Sequence, residues 1–498
     1  MIFINPIYDI LIFSGLIPII TALLGLLLGR RYEKYLGLIG FIGYVTILFY
    51  LFQPDVWSID LSIPLSPFIG SSRLSITSFT KFFIIVFALL ALPAYLESID
   101  YMEEDSNLTS YYTLIGTMMF GLIGLTFSDD LFTFFVFWEA MAISSYVLVG
   151  FRYHLDEPVE AAVKYLVISG VGSLLLLLGI SYTYGLVGVL TLDEVLSFLA
   201  TVNPGNVIYP ILLISSLFLI GFGVKAAYFP LWTWLPDAHP AAPSPISALL
   251  SGIVIKAGIL GLAKFALPFF LELSNIYYPI YLVITISTLL IANMMALLQD
   301  DIKRLLAFSS IVNIGFILIG FSIAVKGSVD IGLASAFSHI LTHALGKGAA
   351  FLAVGGILYV THTRSIKKLE GLGRVYPGLS MVLMLALFSL GGLPPLPGFW
   401  SKWLLILSAV DAGEWLLAFL GVFNSVLAIL YYLWLFQRLF LSQPSEDIKR
   451  DVDIPPFLGS ALLIITIFLI AFGLFPNLIY EPAFRAAKYL SNLLSGAF

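Results

Sequence analysis

The chain has 498 residues, 60% of them hydrophobic and only 11% charged, with a mean hydropathy of +1.02. That places it far outside the range of soluble globular domains and reads as an integral membrane protein. It has no cysteine, which excludes disulfides, thiolate-held iron–sulfur clusters and redox thiols; no cofactor is expected in this chain, its net charge of −6 selects no partner, and nothing points to nucleic acid.

A membrane-spanning helix needs about 20 mostly apolar residues, because every backbone polar group must be satisfied inside the segment. That ruler predicts an all-α polytopic fold of about fourteen segments, at 10–28, 35–52, 77–96, 110–127, 131–150, 162–184, 210–228, 245–268, 277–298, 304–324, 331–360, 379–411, 415–440 and 457–475. The N-terminal run carries no Lys or Arg in its first nine residues and is too long for a secretory h-region, so it is read as the first span. Most Lys and Arg of the loops and helix ends fall on the side of Arg30, Arg31 and Lys34, including Lys303, Arg304, Arg364, Lys367, Lys368, Arg374, Lys449 and Arg450. Basic residues are retained in the cytoplasm, so both termini are expected outside it, in a cell membrane.

Along the chain, Asp129 and Asp130 precede the fifth segment, where helix capping is the favoured reading. Glu139 lies near the middle of that segment, in LFTFFVFWEAMAISSYVLVG. A lone buried carboxylate is costly, and Lys225, inside LFLIGFGVKAAYFP, is its candidate partner. In such a pair the carboxylate holds the lysine charged and weakening the pair lets the proton go; the alternative is a static ion pair that pins helices, although buried pairs are poor stabilisers. Between these segments, TLDEVLSFLATVNP suits a short surface helix with Thr191 as N-cap and Pro204 beyond its end.

After Lys225 the proline-rich run PLWTWLPDAHPAAPSP carries Asp237 and His239, which either line an entry funnel or act as cap and turn residues. Lys256, in ALLSGIVIKAGILGLAKF, has no acidic residue in its own segment. It is roughly a dozen residues from either helix end, too far for its side chain to reach the interface at about 1.5 Å of rise per residue. It is therefore the residue expected to exchange protons most readily.

In the eleventh segment SHILTHALGKGAAFL puts His339, His343 and Lys347 four residues apart, on one helix face. Such a column suits a relay, since histidine donates and accepts near neutral pH; metal or haem ligation and ordinary polar packing are the alternatives. Lys402 follows Pro394, Pro395 and Pro397 in GGLPPLPGFWSKW, which breaks the twelfth segment. It is read as the counterpart of Lys225, with snorkelling at a membrane rim as the other reading. Residues 441–456 form a polar loop without a chemical motif.

The two Pro-interrupted segments are the seventh and the twelfth, five apart. Segments four to eight (110–270) and nine to thirteen (277–440) then read as two five-helix units, the second inverted by the odd number of crossings, within a single membrane domain. Paired broken helices in two inverted halves point to a transport site, because each break frees backbone groups at midplane depth. A simple kink is the alternative reading of the prolines alone.

Taken together, WEAMAISSYVLVGF, VKAAYFPLWTWLPDAHPAAPSPISALLSGIVIKAGILG, THALGKGAAFLAVGGI and GLPPLPGFWSKW resemble the signature segments of the antiporter-like proton-translocating membrane subunits. That family includes the large membrane subunits of respiratory complex I, the D and A subunits of Mrp cation/proton antiporters and subunits of Mrp-related membrane-bound hydrogenases. The resemblance spans residues 110–411 and implies fourteen helices, inverted five-helix repeats and a buried lysine row. Carried over, Glu139 corresponds to the gating glutamate, Lys225 to the lysine of the first broken helix and Lys256 to the central lysine. His339, His343 and Lys347 correspond to the linking relay, and Lys402 to the terminal site, where some relatives carry glutamate.

The expected function is therefore proton translocation, with sodium a second candidate ion, by a subunit that has no redox chemistry of its own. Its partners would be other membrane subunits of an antiporter or energy-converting redox complex, and the lipid bilayer. The length of the chain resembles the Mrp D subunit and the shorter complex I subunits; the reading leans to a D-type subunit of an Mrp antiporter or an Mrp-related hydrogenase, with a complex I-type dehydrogenase subunit as the alternative. An independent secondary transporter for a small solute and a purely structural scaffold are the competing classes, the scaffold disfavoured by buried lysines in both halves.

Overall fold

The computed structural model describes residues 6–27, 29–52, 61–64, 73–202, 204–445, 448 and 452–495; Lys449 and Arg450, assigned above to the basic side, lie outside the described residues, as does part of the 441–456 loop. The described chain is almost wholly helical. In order, the long helices are α1 (Pro6–Leu27), α2 (Gly37–Leu51), α3 (Ser78–Tyr101), α4 (Leu108–Phe127), α5 (Leu131–Val149), α6 (Asp156–Val187), α7 (Pro204–Ala226), α8 (Ser244–Glu272), α9 (Ser274–Leu297), α10 (Ile302–Lys326) and α11 (Val329–Thr361), then α12 (Pro377–Gly391), α13 (Pro397–Asp411), α14 (Trp415–Leu441), α15 (Pro456–Leu474) and α16 (Asn477–Ser495). Among the described residues the one sheet is an antiparallel pair, Leu61–Pro64 with Arg73–Ile76, in register with Leu61 opposite Ile76.

Thirteen of these helices are long and apolar enough to cross a membrane by themselves. The remaining expected span is the pair α12 and α13, each of 15 residues, which meet at the second break. The chain is a multi-pass membrane protein. Side chains such as Val171 and Leu174 of α6 and Phe419 and Val422 of α14 are exposed on the outer helices, as lipid requires and water would penalise. The spans α3, α8 and α10 are by contrast wholly buried, and α11 nearly so, so these four helices form the centre.

Both breaks have local causes. Helix α7 stops at Ala226; Ala227 takes a positive φ of 56°, and residues 227–234 turn before a short helix at Leu235–Ala241. Proline lacks the N–H that an α-helix needs, and Pro230 falls inside this turn. Helix α12 ends at Gly391 and is capped by Gly392 at φ 90°, a conformation glycine adopts without Cβ strain; Pro397 then opens α13 in the first-turn position where no donor is needed. Each break contains a cis X–Pro bond, Phe229–Pro230 and Pro394–Pro395.

Helix α8 carries π-turns at Leu250–Val254 and Leu262–Ala266. Its Gly258 lies hard against α7: a Cβ there would sit 2.5 Å from the Ala226 nitrogen and 2.6 Å from the Phe222 oxygen. The short helix expected after Thr191 is present as Leu192–Thr201. The sequence reading missed α16, which buries Ile479, Ala483, Ala486, Ala487, Leu490 and Leu494 along one face and packs across α11 and α3. Its mixed polar and apolar pattern belongs to a helix lying along a surface rather than through a bilayer.

Candidate functional site: a buried row of lysines and histidines

Lys225 occupies the last turn of α7, only 1% exposed. Its ammonium donates to the Tyr165 hydroxyl at 3.2 Å and stands 4.9 Å from the ring centres of Tyr146 and Tyr165 and 5.8 Å from that of Trp138. A desolvated cation over an aromatic face gains about 2 kcal/mol, so the cage partly replaces a counter-ion. Tyr165 is fixed by a 3.0 Å hydrogen bond with Ser145 and by stacking on Trp234 at 4.0 Å, while Trp234 Nε1 donates to the Val224 carbonyl that the break exposes.

The direct Glu139–Lys225 contact expected from sequence is not formed. Glu139 lies one residue beyond Trp138 on α5, hence about 100° around the helix, and Trp138 takes the inward place. Glu139 Oε1 has no hydrogen-bond partner among the described residues.

Lys256 is fully buried in α8. In the π-turn just before it, the Ile255 N–H bonds to the Leu250 carbonyl rather than to that of Ser251. The Ser251 carbonyl is left free, and it accepts from the Lys256 ammonium at 2.6 Å. The second partner of Lys256 is Nδ1 of His343 on α11, at 2.8 Å. No hydrogen bond among the described residues joins Lys225 to Lys256; the two helices meet instead through Gly258.

On α11 the rings of His343 and His339 lie 6.2 Å apart and nearly parallel, at 8°. His339 Nδ1 meets the Ser401 hydroxyl at 3.0 Å and Nε2 the side-chain amide oxygen Oδ1 of Asn313 at 3.2 Å; Ser401 also contacts Thr342 at 2.7 Å. Lys402, the next residue on α13, is 3% exposed. Its ammonium donates to the Gly391 carbonyl at the end of α12, 3.3 Å away, and lies 4.1 Å from the centre of the Phe316 ring. Lys402 thus points into the second break and not to a rim, and a cation at the carbonyl end of a helix is stabilised by the backbone dipole. Lys347 shares the α11 face, but its ammonium turns to α10, donating to the Leu306 carbonyl at 2.8 Å and to Ser309 at 2.6 Å. Ser309 is in turn bonded to Tyr432.

Asp237 and His239 part company. Asp237 is half-buried and paired with Lys164 at 3.1 Å and Arg304 at 2.6 Å. His239 is fully buried, stacked on Phe351 at 4.7 Å, with neither ring nitrogen bonded among the described residues. Asp130 is a helix cap as expected, accepting from the Thr133 N–H at 2.8 Å. Asp129 is not; it forms a 2.8 Å ion pair with Lys264 of α8, which also donates to the Ser128 carbonyl at 2.7 Å. Removing the partly exposed Asp129 carboxylate strands the buried Lys264 ammonium and costs up to about 3 kcal/mol. Asp129→Asn should accordingly lower the thermal unfolding midpoint of the detergent-solubilised protein, and an unshifted midpoint would contradict this.

Sequence reasoning also missed Ser401, Asn313 and Thr342. Nothing marks them in the sequence except a polar identity inside an apolar helix. The assembled row combines carbonyl-anchored ammonium groups with imidazoles and hydroxyls able both to donate and to accept, an arrangement that can hand on protons in an interior without water-facing charges.

The family described as NADH:quinone oxidoreductase/Mrp antiporter, TM matches residues 128–428, which contain every residue of the row. The chain is 28% identical to the F(420)H(2) dehydrogenase subunit N of Methanosarcina mazei, over 97% of both chains. It is 30% identical to the NADH-quinone oxidoreductase subunit N of Desulforudis audaxviator, over 87% of this chain and 85% of that one. Among solved structures, a chain of the membrane-bound sulfane sulfur reductase, an archaeal respiratory membrane complex, superposes with a TM-score of 0.85 at 26% identity, covering 99% of each.

Proposed function

This chain belongs to the NADH:quinone oxidoreductase/Mrp antiporter transmembrane family, and on that premise we propose that it is a proton-translocating subunit of a multisubunit membrane complex. The observation that carries the proposal is the hydrogen-bonded run from the Ser251 carbonyl through Lys256 to His343, continued by the stacked His339 to Ser401 beside Lys402. Buried ionisable groups are costly in a membrane interior and are retained where they serve a pathway.

In the proposed cycle the Lys256 ammonium gives its proton to Nδ1 of His343. Reorientation of the stacked imidazoles and the Ser401 hydroxyl delivers a proton to Lys402 at the Gly391 carbonyl. Glu139, acting through space on the caged Lys225, sets how firmly that end of the row holds its charge; because the two do not touch, a small movement of α5 changes the coupling without breaking a contact. Two inverted five-helix halves, 110–270 and 277–440, would place Lys225 and Lys402 at equivalent breaks, with the basic loops in the cytoplasm and the complex in the plasma membrane.

The relatives named as subunit N support a place in a redox-driven complex, whose electron carriers belong to other subunits; a D-type subunit of an Mrp antiporter is the second reading, supported by the breadth of the family. Affinity purification separates them, since redox subunits co-purify only in the first case. For the row itself, Lys402→Met is expected to leave the complex assembled and reduce proton flux in vesicles by about 100-fold, the scale of losing a positioned acid–base group. Unaltered flux would remove Lys402 from the pathway.

A further inference from the structure

Glu97 lies on α3, ahead of the stretch the family match covers, and it is fully buried with neither carboxylate oxygen hydrogen-bonded among the described residues. The carboxylate fits against a bare backbone: a Cβ on Gly355 of α11 would sit 1.9 Å from Oε1 and 3.0 Å from the Ser244 side chain at the start of α8. Lys303, near the start of α10, is 1% exposed and donates to the Ala242 carbonyl at 2.6 Å. That carbonyl lies three residues after His239 and two before Ser244, the residue that crowds the same point at Gly355 as the Glu97 carboxylate. Towards the loops Asp301 accepts from the Lys303 N–H at 2.8 Å and pairs at 3.2 Å with Arg364, which also pairs with Glu157 at 2.9 Å on the partly exposed surface.

These groups follow one another along α11. His339, His343, Lys347, Phe351 and Gly355 recur every four residues, a row that advances about 40° around the helix at each step and so winds away from the histidine side as it nears Gly355. The first three hold the row, His239 stacks on Phe351, and Glu97 rests on Gly355. Through the groups packed on this winding row, buried ionisable side chains therefore continue from the histidines towards the end of α11 that leads to Arg364. An unpaired buried carboxylate adds nothing to packing that an apolar residue would not supply better.

We propose that Glu97 and Lys303 form a proton-loading couple for the row. A proton taken from water at the Arg364 loop is held by the Glu97 carboxylate or the Lys303 amine and passes by His239 to Lys347 and Lys256, leaving the couple deprotonated to accept the next. This rests on the proton-translocating function proposed above.

The test uses the assembled complex in vesicles, with Glu97→Gln, Glu97→Asp and Lys256→Ala side by side and complex content measured for each. Gln preserves shape but carries no exchangeable acid, so flux per complex should fall at least about tenfold, the low end for an acid–base group that water partly replaces. Asp retains the acid and should keep more flux than Gln. The loading role is overturned if Gln supports normal flux per complex while Lys256→Ala does not, or if Gln lowers only the amount of complex. Normal flux in Lys256→Ala would instead remove the function on which this rests.

Discussion

Replacing Lys256 with alanine should abolish proton movement while the complex still assembles. Among the described residues the side chain removed is the only one hydrogen-bonded from α8 to the histidine column, holding the Ser251 carbonyl at 2.6 Å and His343 Nδ1 at 2.8 Å. Loss of a positioned proton-transfer group costs about 100- to 10,000-fold in rate. Packing would suffer less, because the space vacated is polar and can take water, and because the desolvation of a buried ammonium disappears with it. Flux in reconstituted vesicles, normalised to complex content, measures this. Normal flux would refute the proposed pathway.

The second large effect is expected at a residue with no chemistry. Gly258 follows Lys256 by two positions and touches the α7 backbone at Phe222 and Ala226, immediately beside Lys225. A methyl group has nowhere to go there, since the atoms 2.5 and 2.6 Å from it belong to a backbone and not to a side chain that can swing aside. Gly258→Ala must push the helices apart, at a cost of about 1–3 kcal/mol for an overpacked core, and in doing so moves both lysines. We expect a lower unfolding midpoint together with reduced flux, and Gly258→Leu should prevent accumulation of the complex. Wild-type stability and flux in Gly258→Ala would show that α7 and α8 can separate freely.

The spanning helices were legible because burying a backbone in lipid demands long apolar runs: thirteen of the fourteen expected segments coincide with single long apolar helices, and the twelfth is divided between α12 and α13. The breaks were legible because proline removes donors wherever it occurs. Depth was also readable: Lys225, Lys256, His339, His343, Lys347 and Lys402 are all buried. Direction around a helix was not. Glu139 misses contact with Lys225 by one residue's rotation, and Lys347 turns to α10 although it shares a face with the histidines. Pairing across distance was equally hidden, as Asp129 and Lys264 are 135 positions apart. Nor does composition reveal a π-turn, which decides where the Ser251 carbonyl points.

That turn has a consequence for how α8 tolerates change. Five residues close the hydrogen-bonded ring at Leu250–Val254 where an α-turn would use four, so the helix holds one residue in excess. Deleting a single residue there would not shorten the helix so much as advance its phase. Everything downstream would turn by about 100°, carrying Lys256 away from His343, while length, composition and hydropathy stayed almost the same. In this helix, insertions and deletions act as rotations.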